Sequence, residues 1–210
     1  MKIRALFFLM AFAIVTNCIS AGKVTVWSSL PDTKALLVKK SMKLNSKPVE
    51  IKNKVEIFPD QTCQSVEGVG AALTHSSAYV FHHNLTAQRR DSLFKVLFTP
   101  AGIGINYTRL CIGASDFAFN LFSYSETEDF SLSNFNIQED EKDVIPMLKE
   151  ILAINPNLQI LASPWSPPGW MKTSGSMVGG KLRPDCYDVY AEYLIKYIEA
   201  YRQHGITIHA

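Results

Sequence analysis

From residue 66 onward, short apolar runs alternate with stretches in which apolar residues recur every three or four positions. The runs 66–72, 103–112 and 158–163 are brief, rich in small and β-branched residues, and bounded by Gly, Pro or polar positions; each predicts a buried strand. Between the first two, 86–98 predicts a helix with Thr86 as N-cap, Leu93, Phe94 and Leu97 on one face, and Pro100 and Gly102 as its stop. A second helix is predicted near 140–154, where Ile145, Leu148 and Leu152 share a face and Pro146 is tolerable only in the first turn. A third follows Asp185, read as its cap, and is marked by Tyr187, Tyr190, Ala191, Leu194, Ile198 and Tyr201. Gly205 ends it and 206–208 opens a fourth strand. Buried strands alternating with amphipathic helices predict an α/β chain built on a parallel sheet.

The N-terminal part reads differently. Residues 24–58 hold short β-prone runs at 24–27, 35–38, 49–51 and 55–58, punctuated by polar residues and Pro, without a sustained helical period. They predict a β-rich flank that pairs with strands elsewhere. Residues 1–4 are basic and 5–15 are uninterruptedly apolar, the pattern of a secretory leader and too short for a membrane span. Cleavage after Ser20 leaves small residues, Cys18 and Ser20, before the cut. Lipid attachment at Cys18 is a minor alternative, because Asn17 stands where a small residue is expected. The organisation expected is a signal peptide at 1–20, the flank at 21–60, and the α/β domain at 61–210, with no membrane segment once the leader is removed.

An apolar share of 47% with 19% charged residues excludes a disordered chain, and a net charge of +2, zero without Lys2 and Arg4, argues against a nucleic-acid partner. Cys63, Cys111 and Cys186 remain after the leader, an odd number without close pairs, so neither a disulfide framework nor a zinc site is indicated. No phosphate loop, dinucleotide fingerprint or HExxH helix is present, and Gly68-Val69-Gly70 lacks the third Gly and the downstream acid of a dinucleotide fold.

If the sheet belongs to a parallel barrel, the residues just after each strand face the site. The candidates are then His75 after the first strand, Asp116 after the second, and Trp165 with Trp170 after the third, with Arg109 inside the second strand. A carboxylate and two indoles at a cleft mouth suit a carbohydrate: indole faces pack on sugar C–H surfaces while the carboxylate accepts hydroxyl hydrogen bonds. Each has a plainer reading. Asp116 serves equally well as a loop cap, Trp165 and Trp170 as core aromatics, and His75 and Arg109 as a surface imidazole and an ion-pair partner; the aromatic stretch 117–135 reads as a lid on the rim.

Three blocks carry a resemblance: Gly68-Val69-Gly70-Ala71-Ala72-Leu73-Thr74, Arg109-Leu110-Cys111-Ile112-Gly113-Ala114-Ser115-Asp116-Phe117, and Leu161-Ala162-Ser163-Pro164-Trp165-Ser166-Pro167-Pro168-Gly169-Trp170-Met171-Lys172. In this order, at these strand ends, the chain resembles glycoside hydrolase family 30, which includes glucosylceramidases and endo-β-1,6-glucanases. The resemblance implies a (β/α)8 TIM barrel with a β-sandwich side domain to which the flank contributes. It also implies a retaining hydrolase of a β-glucoside or glycolipid that needs no metal or organic cofactor. It assigns Arg109 to orienting the nucleophilic carboxylate, Asp116 and Trp165 to sugar binding, and Trp170 to a wall of the same pocket. Both catalytic glutamates are expected beyond Ala210. A complete barrel needs roughly 250 residues, so about the first three to four βα units are expected here, inactive alone. The family usually has an acidic residue where His75 stands, so hydrogen bonding at that strand end should differ. The expected location is secreted or periplasmic, or lysosomal in a eukaryote. An endo-β-1,6-glucanase and a non-catalytic carbohydrate-binding pseudoenzyme are the alternatives.

Overall fold

The structure, a computed structural model, describes residues 22–30, 35–44 and 55–210. The leader and the run 49–51 lie outside the described residues. The chain divides into two compact units, Met1–Cys63 and Gln64–Ala210. In the first, β1 (Lys23–Leu30) pairs antiparallel with β2 (Ala35–Lys43), Val24 opposite Met42 and Val26 opposite Lys40, with an irregularity between Ser28 and Leu30. Trp27 is exposed and carries the Lys39 ammonium over its ring at 5.2 Å. The strand expected at 55–58 does not form among the described residues: 55–58 are exposed and without regular structure.

The second unit is built on a parallel three-stranded sheet, order β3 (Gly70–Ala72), β4 (Tyr107–Ile112), β5 (Gln159–Pro164). The first two strands are shorter than expected and the third is displaced by one residue, because sheet pairing stops where the neighbouring strand ends: Gly70 opposes Tyr107 and Tyr107 opposes Gln159. Contrary to expectation β3 is exposed along its length rather than buried, being the outer strand of the sheet and built of Gly and Ala. Gly70 is required there, since a Cβ would come within 2.0 Å of the Tyr107 carbonyl oxygen. Alternation divides β4 and β5 between two faces. Leu110, Ile112 and Ile160 are buried in the core, while Tyr107, Arg109 and Leu161 point the other way and are only half-buried. Register sets Ala72, Arg109 and Leu161 side by side.

Two helices, not one, connect β3 to β4: α1 (His75–Asn84) and α2 (Ala87–Phe98). Thr86 caps α2 as expected, its hydroxyl accepting from the Arg89 N–H. The unexpected helix α1 starts at a capping box in which Thr74 accepts from the Ser77 N–H and the Ser77 hydroxyl accepts from the Thr74 N–H. Its apolar periodicity is slight, with Ala78 its one fully buried residue, so periodicity could not reveal it. The helix expected near 140–154 is split at Asp143 into α3 (Gln138–Lys142) and α4 (Val144–Ile154), which leaves Pro146 in the first turn of α4.

Asp185 does not cap the last helix. Its carboxylate accepts from the Arg183 guanidinium, and α5 (Tyr187–Gln203) follows a 3-10 turn at Pro184–Cys186 with no side-chain cap. The buried face of α5 is Val189, Tyr193, Tyr197 and Tyr201, whereas Tyr187 and Ile198 are exposed. The fourth strand at 206–208 does not form. Ile206 is buried in the core, and contact with β5 is made later, by His209 N–H to the Ile160 carbonyl and Ala162 N–H to the Ala210 carbonyl, each 2.8 Å. Among the described residues no helix is long and apolar enough to cross a membrane.

Candidate functional site

Arg109 and Trp165 meet at the sheet's C-terminal edge. The guanidinium carbon of Arg109 lies 5.1 Å from the centroid of the Trp165 ring, and Trp165 follows directly on β5 with 49% of its surface exposed. The Arg109 Nε is buried without a hydrogen-bond partner among the described residues. Such a donor is costly to leave unpaired, so an acceptor arriving from solvent gains its full hydrogen bond. Arg109 also lines an open cavity of about 380 Å³ with Gly70, Ala72, Tyr107 and Leu161. Trp165 lines a second of about 370 Å³ with Pro164, Pro167 and Tyr190.

A frame that the sequence did not reveal holds Trp165 in place. Lys172 is buried and its ammonium donates to the Ser166 hydroxyl (2.9 Å) and the Met177 carbonyl (2.7 Å), while Ser166 donates to the same carbonyl. The segment that follows the indole is thereby clamped. A lysine embedded in a Pro-Pro-Gly-Trp loop carries no signal of burial, because its acceptors are a neutral hydroxyl and a backbone carbonyl rather than a carboxylate.

Trp170 is placed differently. Its indole N–H donates to the Ser125 carbonyl at 2.9 Å and its ring meets Phe130 edge-on at 5.6 Å. It anchors the long loop after β4, and its polar atom is already in use. Asp116 stands exposed in the turn that follows Gly113, where a φ of 79° lets the chain leave β4. Among the described residues its carboxylate makes no hydrogen bond or ion pair, neither with Arg109 nor with any cap. The structure thus brings Arg109 and Trp165 together, leaves Asp116 free nearby in sequence, and gives Trp170 to the loop.

His75 is the first residue of α1 rather than a free strand-end group. Its side chain is 11% exposed, Nε2 lies 2.7 Å from Asp140 Oδ1, and Phe122 packs edge-on at 5.0 Å. Asp140 is fully buried, and its other oxygen accepts from the hydroxyls of Tyr124 (2.7 Å) and Tyr201 (2.6 Å). Burial raises the pKa of Tyr124 and Tyr201 well above the usual phenol value, with the Asp140 charge acting in the same direction. In the same long loop Asp129 accepts from the hydroxyls and N–H groups of Ser131 and Ser133, which hold its carboxyl well below the usual range. Among the described residues, the group close enough to hold a metal ion is His82, His83 and Asp143, none of which belongs to this site.

A parallel sheet with a cation–aromatic pair at its C-terminal edge agrees with what comparison finds. The family model described as the glycosyl hydrolase family 30 TIM-barrel domain matches residues 66–210. The chain belongs to glycosyl hydrolase family 30. Its sheet order and parallel pairing fit part of the family 30 barrel. An endo-1,6-beta-D-glucanase of Neurospora crassa is 37% identical over 164 residues, covering 74% of this chain and 34% of that protein. The lysosomal acid glucosylceramidase of Mus musculus is 32% identical over 160 residues, covering 72% of this chain and 31% of that one. Among solved structures, SrfJ from Salmonella typhimurium superposes with a TM-score of 0.76 at 29% identity, covering 89% of this chain and 42% of SrfJ. The chain therefore spans about a third of the length of these two curated relatives.

Proposed function

We propose that the protein is a retaining β-glycosidase that cleaves a β-glucosyl linkage, in glucosylceramide or a similar β-glucoside. The carrying observation is the Arg109–Trp165 pair on the exposed C-terminal edge of a family 30 sheet. In this reading the Trp165 face packs on the sugar ring and the free Asp116 carboxylate accepts hydroxyl hydrogen bonds. The Arg109 guanidinium, with a buried donor unspent, orients the nucleophilic carboxylate. Trp170, its N–H bonded to Ser125, contributes a wall rather than a polar contact.

Retention requires two carboxyl groups about 5–5.5 Å apart, one protonating the leaving oxygen and one attacking the anomeric carbon. We assign both to sequence beyond Ala210, so that residues 1–210 supply binding and orientation. The β1–β2 hairpin is read as part of a side β-sandwich, and residues 1–20 as an export leader. N-terminal sequencing of the exported protein should begin at or near Ala21, and an intact Met1 there would overturn the leader.

The Neurospora relative, at 37% identity, favours a second reading in which the substrate is a β-1,6-glucan. Proton NMR of the first-formed sugar, with an aryl β-glucoside, glucosylceramide and β-1,6-glucan offered in parallel, tests the proposal. The β anomer is expected, and the preferred substrate separates the two readings. In the protein carrying both carboxylates, an α anomer formed first overturns the retaining assignment, and no turnover of any of the three overturns the glycosidase reading.

A further inference from the structure

We propose that His82, His83 and Asp143 form a binding site for a divalent transition-metal ion of the zinc class, joining the C-terminal end of α1 to the start of α4. His82 Nδ1 and His83 Nε2 lie 2.7 and 2.8 Å from the same oxygen, Asp143 Oδ1, and the three ligand atoms fall within 4.8 Å of one another. Consecutive residues on an α-helix point about 100° apart, so convergence on one oxygen demands that the two rings offer different nitrogens. That is what the structure has. Each ring is held: His83 packs on Tyr79 at 4.4 Å between centroids, the two imidazoles lie 4.7 Å apart, and the His82 carbonyl accepts from Arg90.

Two imidazole nitrogens and one carboxylate oxygen are a donor set for zinc, cobalt, nickel or copper; calcium and magnesium take oxygen ligands instead. Three protein ligands leave a fourth position for water. The side chains are 33%, 49% and 18% exposed, in the order His82, His83, Asp143, so an ion has a route in. Zinc bonded to imidazole at ~2.0–2.1 Å requires the donor atoms to spread somewhat from their present hydrogen-bond separation, a small rotation for half-exposed side chains. Glu139 and Lys142 of α3 form an ion pair of their own. The ligands are 60 and 61 residues apart in sequence, so the ion closes a long loop between helices that otherwise meet only by packing. The ion takes no part in the proposed hydrolysis, and an adjacent His pair with a distant Asp matches no zinc spacing recognisable in a sequence.

Titration of zinc into the chelator-treated 210-residue chain, followed by X-ray absorption at the zinc edge of the loaded wild type, tests this. One equivalent bound, with two imidazole nitrogens in the first shell, is expected. His82→Ala and His83→Ala should each weaken binding by at least about tenfold, while His204→Ala, an imidazole paired with Glu141, leaves it unchanged. No saturable binding overturns the proposal. So does a first shell with fewer than two imidazoles, or sulfur at ~2.3 Å from the exposed Cys63 thiol; neither result depends on the variants folding.

Discussion

Asp116 and Asp140 are both aspartates near the strand-end loops, and their surroundings give them opposite work. Asp116 is exposed without a partner among the described residues, so removing its charge leaves packing untouched. Asp116→Asn should leave the melting temperature in place and lower kcat/KM by about tenfold or more, the loss of a charge-assisted hydrogen bond of ~1.5–3 kcal/mol. Unchanged kinetics would reduce it to a turn residue. Asp140 is buried, and three groups converge on it. Tyr201→Phe removes one donor and should destabilise the fold by ~1–3 kcal/mol. Tyr197 makes the contrast: among the described residues its buried hydroxyl meets no partner with hydrogen-bond geometry, so Tyr197→Phe should cost nothing. Equal losses for the two variants in urea unfolding would contradict this. Trp165 was legible from its strand-end position, and Arg109, which lies inside its strand, through the family resemblance of the block that holds it. Asp140 was not, because Tyr124 and Tyr201 reach it from 16 and 61 residues away and nothing in its local sequence announces a buried charge.

At the scale of elements, β4 and β5 and the helices α2 and α5 followed from the sequence pattern, because each buries apolar residues, whereas the strands expected at 55–58 and 206–208 do not form. Helix α1 did not, since it rests on the Thr74 capping box rather than on an apolar stripe. Within α5 the buried face is rotated from the one the sequence predicts: a tyrosine buries or exposes equally readily, and the Val189, Tyr193, Tyr197, Tyr201 line is chosen by the loop tyrosine Tyr124, which stacks on Tyr193 and Tyr197 at 6.0 and 5.6 Å. These phenols make the element sensitive to alkali. Burial raises the pKa of Tyr124, Tyr197 and Tyr201 well above the ordinary value and pushes Tyr190 up to about 12. The folded chain thus holds these protons more tightly than the unfolded one. The resulting stability is complete below the ordinary phenol pKa of about 10 and is lost as pH rises through it toward the folded values. Urea midpoints measured upward from pH ~9 should fall once pH passes ~10; a flat profile there would mean the phenols are solvated.

At the scale of the molecule, the parallel sheet faces two ways. One face, with Leu110, Ile112 and Ile160, is sealed by helices, and the other carries Tyr107, Arg109 and Leu161 toward an open cavity. The chemistry proposed here lies where that second face meets the clamped loop after β5. Its order of blocks was readable from sequence through the resemblance to family 30. The clamp of Lys172 on Ser166 and Met177 was not, being made to a hydroxyl and a backbone carbonyl with no carboxylate to announce it. The most direct test of the account is the kcat/KM of the active protein carrying Trp165→Ala, measured on an aryl β-glucoside beside its melting temperature. Trp165 is half-exposed and its loop is held by other residues. A fall of at least about tenfold, ~1.4 kcal/mol, at unchanged melting temperature is predicted; full activity in a normally folded variant would contradict the assignment of this sheet edge as the sugar site.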